Sequence, residues 1–184
     1  MNPLVRIVLL GAALALGAPS TLSAADDKPA AEANPLEAMA RFVGGAWIGE
    51  GKGPGGTNDF HTKVAYEWGL NRRLLKLKSF LVRGGAEQPA YETVYFWHPG
   101  RRQILFYSIS AQGGLFEGTT KANGDTFESQ FTSYQGEQAT TYRQTVRFVD
   151  ADHTEWTVHA KKGEEWVKVI ESRQRREGGA AAGQ

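Results

Sequence analysis

Side chains able to do chemistry are spread along this chain of 184 residues rather than grouped by spacing. The four histidines are His61, His98, His153 and His159. No two of them have the spacing of a metal-binding pair on a strand or a helix. Only His159, which alternates with apolar residues on a predicted strand, is placed to face a cavity. We expect the other histidines to be exposed or held by hydrogen bonds, and we predict no metal site.

Acid–base and nucleophilic chemistry is also hard to assemble. The serines lie in predicted strands and lack the Gly-x-Ser-x-Gly turn that presents a hydrolase nucleophile. Glu92, Glu117 and Glu171 would suit acid–base chemistry if burial raised their pKa values, with Arg143 as a partner. A structural ion pair with Arg143 or Lys76 is the simpler alternative. The sequence therefore favours a non-enzymatic protein with no catalytic residues, and an envelope enzyme that uses a buried carboxylate is an alternative.

The elements that must position these residues are strands, because period-two patterns dominate the chain after residue 46. Turn pairs such as Pro99-Gly100 and Asn123-Gly124 separate them at hairpin length, so consecutive strands should be antiparallel neighbours. This pattern predicts an all-β fold, an up-and-down antiparallel β-barrel of about ten strands. Closure would also remove exposed strand edges. The predicted strands are 46–52, 61–69, 72–82, 90–98, 101–110, 114–120, 125–134, 139–149, 153–162 and 165–175.

A short helix should precede the barrel. Asn34 is a typical N-cap, Pro35 suits the first helical position, and Glu37 follows three residues after the cap. Apolar residues then recur at helical spacing until Gly44 and Gly45 end the helix. We expect this helix to cover one end of the barrel.

A barrel of this size does not fill its centre with side chains, so an internal cavity for a small apolar or amphiphilic molecule is expected. Strand 90–98 carries an aromatic row that should line it. A structural envelope protein with a filled barrel is the alternative. The residues predicted to line the cavity and bind the ligand are Tyr95, Trp97, Phe106, Phe116, Phe131 and His159.

The first strand combines a tryptophan with glycines at every second position of 49–53. Such a glycine face indicates close approach of another backbone or of the barrel wall. Trp47 lies on that face, and in a closed meander the last strand is its neighbour. We therefore predict a structural cation–π contact between Trp47 and Arg173 or Arg175.

The first 25 residues have the features of a secretory signal peptide. Arg6 precedes an apolar run over 7–16 that is too short to span a bilayer, and small residues before Asp26 suit cleavage after Ala25. We therefore expect a periplasmic or extracellular protein with no membrane span after cleavage. The predicted organisation is a signal peptide over 1–25, a linker over 26–34, a β-barrel over 35–176 and a disordered tail over 177–184.

Charge and cysteine content narrow the possible partners. Cleavage would remove only Arg6 among the charged residues, which leaves 20 basic against 20 acidic side chains. Nucleic-acid binding is not expected, because it depends on a basic excess. The absence of cysteine rules out disulfides and thiolate sites. The sequence carries no signal for oligomeric state.

The segment Gly45-Ala-Trp47-Ile-Gly49-Glu-Gly51-Lys-Gly53 resembles the opening strand of calycin-like barrels, and within them of the nitrobindin-like heme-binding barrels. Segments 91–93 and 115–119 and the basic closing strand are also similar, so the resemblance spans residues 36–176. It implies a calycin fold and heme as a possible cofactor. Nitrobindins bind the iron through a histidine in the last strand, whereas 166–173 contains none and Lys168 lies nearest that place. A heme protein of this type would have to use His159 or His61.

Overall fold

The computed structural model describes residues 34–53, 56 and 59–178. The predicted signal peptide, the linker before Asn34 and residues 179–184 of the predicted tail lie outside the described residues. Within the described part, no helix is long and apolar enough to cross a lipid bilayer.

Ten antiparallel strands form a closed barrel in which each strand pairs with its neighbours in sequence and β1 also pairs with β10. The predicted fold class is therefore confirmed. The strands are β1 (Ala46–Lys52), β2 (Asp59–Gly69), β3 (Leu74–Arg83), β4 (Ala86–His98), β5 (Gln103–Ser110), β6 (Leu115–Asn123), β7 (Thr126–Gln135), β8 (Gln138–Phe148), β9 (His153–Lys162) and β10 (Glu165–Glu177).

Several strand boundaries differ from the prediction by a few residues, and two of the differences have a local reason. β3 begins at Leu74 rather than at residue 72, because Leu70, Asn71 and Arg72 adopt positive φ in the preceding turn. β10 continues to Glu177, where the tail was expected to start, because Ala46 of β1 pairs with Glu177.

The predicted N-terminal helix is a 3₁₀ helix, Pro35–Phe42. The side chain of Asn34 accepts a hydrogen bond from the backbone N–H of Leu36 at 3.2 Å, so the N-cap prediction is confirmed. The tighter helix buries Leu36, Met39 and Phe42, whereas Val43 is only partly buried at the C-cap.

Phe42 is the centre of the core at the helix end of the barrel. Its ring lies 4.8 to 4.9 Å from the rings of Tyr66, Phe127 and Phe148, and 6.4 Å from Trp47. Aromatic pairs at these distances add attraction beyond the area that they bury. The helix therefore closes one end of the barrel, as the sequence predicted.

Arg176 stabilises this closed end of the barrel. Its guanidinium lies 4.5 Å from the Trp47 ring centroid and donates hydrogen bonds to the carbonyls of Arg41, Val43 and Gly44 at 2.5 to 2.9 Å. Trp47 in turn donates from its indole nitrogen to the carbonyl of Phe42 at 2.9 Å. The last strand is thereby bound to the end of the helix.

The predicted partner of Trp47, Arg173 or Arg175, was therefore wrong, since Arg176 lies over the Trp47 ring and both other arginines are exposed. A β-bulge between Lys168 and Ile170 reverses the alternation of β10, so residues counted as inward before it lie outward after it. Arg173 pairs with Glu50 and is exposed.

Two glycines allow the close approach that the glycine face predicted. A Cβ atom at Gly51 would lie 2.2 Å from the carbonyl oxygen of Glu171, and one at Gly118 would lie 2.4 Å from that of Gln130. Both distances are far below van der Waals contact, so these sites accept no side chain without movement of the neighbouring strand.

Replacing Arg176 should weaken the closed end. We expect Arg176→Ala to lower the free energy of unfolding by about 3 kcal/mol, because it leaves helix-end carbonyls without their charged donor. Urea unfolding of the barrel measures the change. The matched control is Arg173→Ala, which should change stability by less than about 0.5 kcal/mol. Equal losses in both variants would contradict the assignment.

Candidate ligand-binding cavity

The helix fills only one end of the barrel and leaves a cavity of about 1130 Å³ towards the other. Tyr66 and Val158 border its deep part, while Asp59, Arg83 and Gln135 border its mouth beside the opposite turns. Ligand sites commonly have about 300 to 1,000 Å³, so this volume suits a small molecule.

Aromatic side chains form much of the cavity wall. Phe131 is central among them: its ring lies 5.2 Å from Tyr142 in a stacked arrangement, 5.8 Å from Phe106 and 6.2 Å from Phe116. Such a wall gives a large apolar contact surface with defined ring geometry. The aromatic lining residues are Phe60, Tyr66, Tyr91, Tyr95, Phe106, Phe116, Phe131, Tyr142 and Trp156.

Small polar side chains in the barrel interior pair across neighbouring strands. Thr93 donates to Ser108 at 2.8 Å, and Thr120 and Ser129 share a hydrogen bond of 2.9 Å. The indole nitrogen of Trp156 donates to Gln144 at 3.3 Å. These groups satisfy one another, whereas the buried Thr62 hydroxyl, which also borders the cavity, has no partner in the described part of the chain.

Charge is confined to the mouth. Of the lining residues that the structure describes, the ionic or basic ones are Asp59, His61 and Arg83, all beside the turns of the open end. No group of three potential metal-ligating residues was found in the described ranges. The deep part of the cavity therefore suits an uncharged molecule, because an unpaired buried charge is costly.

Four of the six predicted lining residues border the cavity: Tyr95, Phe106, Phe116 and Phe131. Trp97 also points inward, but it packs against the core cluster at the helix end. Whether any of these side chains contacts a ligand stays a prediction.

His159 was placed wrongly, since it lies on the outer face. Val158 and Ala160 are buried inside the barrel, and period-two alternation then turns His159 outward between Arg143 and Lys168 of the adjacent strands. It borders a shallow polar depression on the outer surface that also includes Arg143.

The carboxylates proposed for acid–base chemistry also lie outside the cavity. Glu92 is exposed, and Glu117 accepts a hydrogen bond from the Tyr134 hydroxyl at 3.0 Å. Lys168, 2.5 Å away, lowers the pKa of Glu171 by hydrogen bonding and charge, the opposite of the rise expected for a buried acid. Glu117 and Arg143 border the same depression on the outer surface, but Arg143 packs over the Trp166 ring at 4.8 Å and no hydrogen bond joins it to Glu117 among the described residues.

Sequence reasoning did not name five aromatic lining residues, which are Phe60, Tyr66, Tyr91, Tyr142 and Trp156. The signal was available for two of them, because Tyr142 alternates with Val146 along β8 and Trp156 with Val158 along β9. Tyr66 was harder to find, since the face of β2 depends on its register with β3.

Burial raises the pKa values of the tyrosines that enclose the deep part of the cavity. The pKa of Tyr66 is raised well above its ordinary value, first by burial and then by the nearby Tyr95 hydroxyl. Burial raises the pKa of Tyr95 strongly and that of Tyr91 more modestly. Tyr66 and Tyr95 are therefore neutral hydrogen-bond donors throughout the physiological pH range.

One of three similar solved structures supports the fold. The crystal structure of Rv2717c from M. tuberculosis aligns with a TM-score of 0.56 and 14% identity over 78% of this chain and 97% of its own. EF1p2_mFAP2b bound to DFHBI aligns with a TM-score of 0.35 and 10% identity over 78% of this chain and 99% of its own. A DUF3598 family protein of unknown function from Nostoc punctiforme gives 0.24 and 11% over 78% of this chain and 99% of its own. No protein-family model and no curated protein matches the chain.

Alkaline titration should distinguish the buried tyrosines from the exposed ones by the pH at which each group ionises. Tyr66 and Tyr95 bind their protons more tightly folded than unfolded, so their contribution to stability is complete below pH 10, the ordinary tyrosine value, and is lost as the pH rises towards their folded values. We expect part of the phenolate absorbance to appear only together with loss of the near-ultraviolet circular dichroism signal.

The Tyr66→Phe/Tyr95→Phe double variant should lack this late fraction of absorbance. Tyr107→Phe, on the exposed outer face, should retain it. Full phenolate absorbance from a folded wild-type protein would contradict the burial of the two hydroxyls.

Proposed function

We propose that this protein is an exported, non-enzymatic β-barrel that binds a small uncharged apolar or amphiphilic molecule in its cavity. The observation that carries the proposal is the cavity itself: a volume of about 1130 Å³, walled by aromatic rings and self-paired hydroxyls, with charge only at the mouth. A ligand bound there would bury its own apolar surface and that of the cavity wall. Such burial stabilises a complex by about 25 cal/mol for each Å² of apolar surface removed from water.

The calycin-like resemblance agrees with this proposal, since barrels of that kind bind small molecules in the barrel interior. The signal-peptide features of residues 1–25 support export to the periplasm or beyond. Outer charges of the described barrel occur in opposite pairs, such as Lys63 with Glu87 at 2.7 Å and Arg147 with Glu155 at 2.6 Å. This mixed surface does not favour nucleic acid as a partner.

Heme, which the nitrobindin resemblance implies, does not fit the described cavity residues. His159 faces outward, and His61 at the mouth is exposed and lies 3.9 Å from Glu50. Among the described lining residues no histidine reaches the deep part, and the neutral Tyr66 and Tyr95 phenols are poor iron ligands. We therefore do not assign heme binding.

Native mass spectrometry of the exported protein, purified without added ligand, tests the proposal directly. We expect a bound mass that is released on denaturation, and no Soret band when heme is then added. A sharp Soret band at stoichiometric heme would overturn the neutral-ligand assignment.

Filling the cavity should abolish binding without unfolding the barrel. Ser79 borders the cavity, whereas the next residue towards the N-terminus, Lys78, is exposed on the outer face. We expect Ser79→Trp to weaken binding of the neutral dye prodan by at least about tenfold, or ~1.4 kcal/mol, because the indole occupies ligand volume. Lys78→Trp is the matched control and should bind as the wild type does. Unchanged prodan affinity in Ser79→Trp would show that the dye binds elsewhere.

A further inference from the structure

Two tyrosines form the deep wall of the cavity and are held by rings beneath or beside them. The Tyr66 ring stacks on Phe42 of the helix, with centroids 4.9 Å apart and planes at 28°. The Tyr95 ring lies 5.3 Å from Phe106 on the adjacent strand. Both rings belong to or pack against the closed core, so their hydroxyls have little freedom to move. We call Tyr66 and Tyr95 the floor pair.

The floor-pair hydroxyls have no hydrogen-bond partner among the residues that the structure describes. Several other interior polar groups pair with each other, as Thr93 does with Ser108 and Trp156 with Gln144, whereas the buried Thr62 hydroxyl also has no partner among the described residues. Tyr95 is only 6% exposed, Tyr66 is partly buried, and both side chains border the cavity. A ligand oxygen that accepts from these hydroxyls makes hydrogen bonds that the protein itself does not supply, so the floor pair favours a ligand with an acceptor.

Tyr91, which lies nearer the mouth, differs from the floor pair in its exposure. Tyr91 is 42% exposed, so water reaches its side chain. Tyr142 stacks on Phe131 at 5.2 Å and forms part of the aromatic side wall. The deep donors therefore discriminate between ligands more strongly than the donors near the mouth.

The chemistry of the floor selects a class of ligand. Two neutral donors point to an acceptor oxygen, such as that of a ketone, quinone or ester. A carboxylate or phosphate is disfavoured, because the described deep residues supply no cation to balance a buried anion. A pure hydrocarbon is disfavoured as well, since it would leave both hydroxyls without partners.

Resting on the proposed function, we propose that the cavity binds an uncharged, largely apolar molecule whose carbonyl-type oxygen enters first and accepts hydrogen bonds from Tyr66 and Tyr95. The apolar remainder then packs along Leu77, Phe131 and Val158 towards the mouth. The floor pair sets ligand chemistry, while the aromatic wall supplies most of the buried area.

A probe pair that differs only in the acceptor tests this proposal. Prodan carries a ketone on a dimethylaminonaphthalene ring, and ketone-free dimethylaminonaphthalene provides the matched probe. Each is titrated by fluorescence into the wild type, Tyr66→Phe/Tyr95→Phe and Tyr107→Phe. Near-ultraviolet circular dichroism checks the fold, and the single variant Tyr95→Phe replaces the double variant if the latter does not fold.

We expect the double variant to bind prodan about tenfold or more weakly than the wild type, as the loss of two hydrogen bonds implies. Its bound prodan emission should shift to the blue, because the ketone loses its donors. The ketone-free probe should change less than about twofold, and Tyr107→Phe should leave both probes unchanged.

The remaining outcomes separate this inference from the proposed function. Equal affinities of wild type and double variant for prodan would overturn the floor-pair assignment while leaving the binding barrel intact. An equal loss for both probes would assign the tyrosines to packing rather than recognition, which also overturns it. Failure of both probes to bind the wild type, together with no co-purified mass, would overturn the proposed function itself.

Discussion

The barrel depends on the hydrogen bonds that join Arg176, at the end of the last strand, to the end of the first helix. Trp47 donates a hydrogen bond to the carbonyl of Phe42. The Arg176 guanidinium covers the Trp47 indole and donates hydrogen bonds to the carbonyls of the two residues that follow the helix. The last carbonyls of a helix have no partner within the helix, so they need outside donors. Arg176 is only 15% exposed at its side chain, which makes each of these bonds stronger than a surface contact.

Closing one end in this way determines where the cavity lies. The side chains of the helix reach into the barrel as far as Tyr66, which stacks on Phe42 below and borders the cavity above. The same residue is thus the top of the core and the bottom of the cavity. Because the Phe42 cluster fixes the Tyr66 ring, the cavity floor is formed in advance of any ligand, and binding need not include the cost of ordering it.

Local patterns in the sequence were sufficient to predict the barrel and the helix. Period-two alternation predicted the strands, and hairpin-length turns supplied their antiparallel order. They were not sufficient for His159 or for the partner of Trp47. The β-bulge after Lys168 exchanges the inward and outward positions along the rest of β10. This exchange arises from the pairing of β10 with β9, not from the residues of β10 alone.

The open volume itself follows from residue size rather than from poor packing. Inward positions on several strands carry small side chains, among them Ser79 and Ser108. Larger apolar residues at these places would fill the centre and add burial, which is the usual route to a stable core. Small hydroxyls that pair across the sheet, as Ser108 does with Thr93, give up that burial while leaving little polar cost. A wall of this composition stabilises a hollow barrel, and it leaves the fixed tyrosines as the groups able to distinguish one ligand from another.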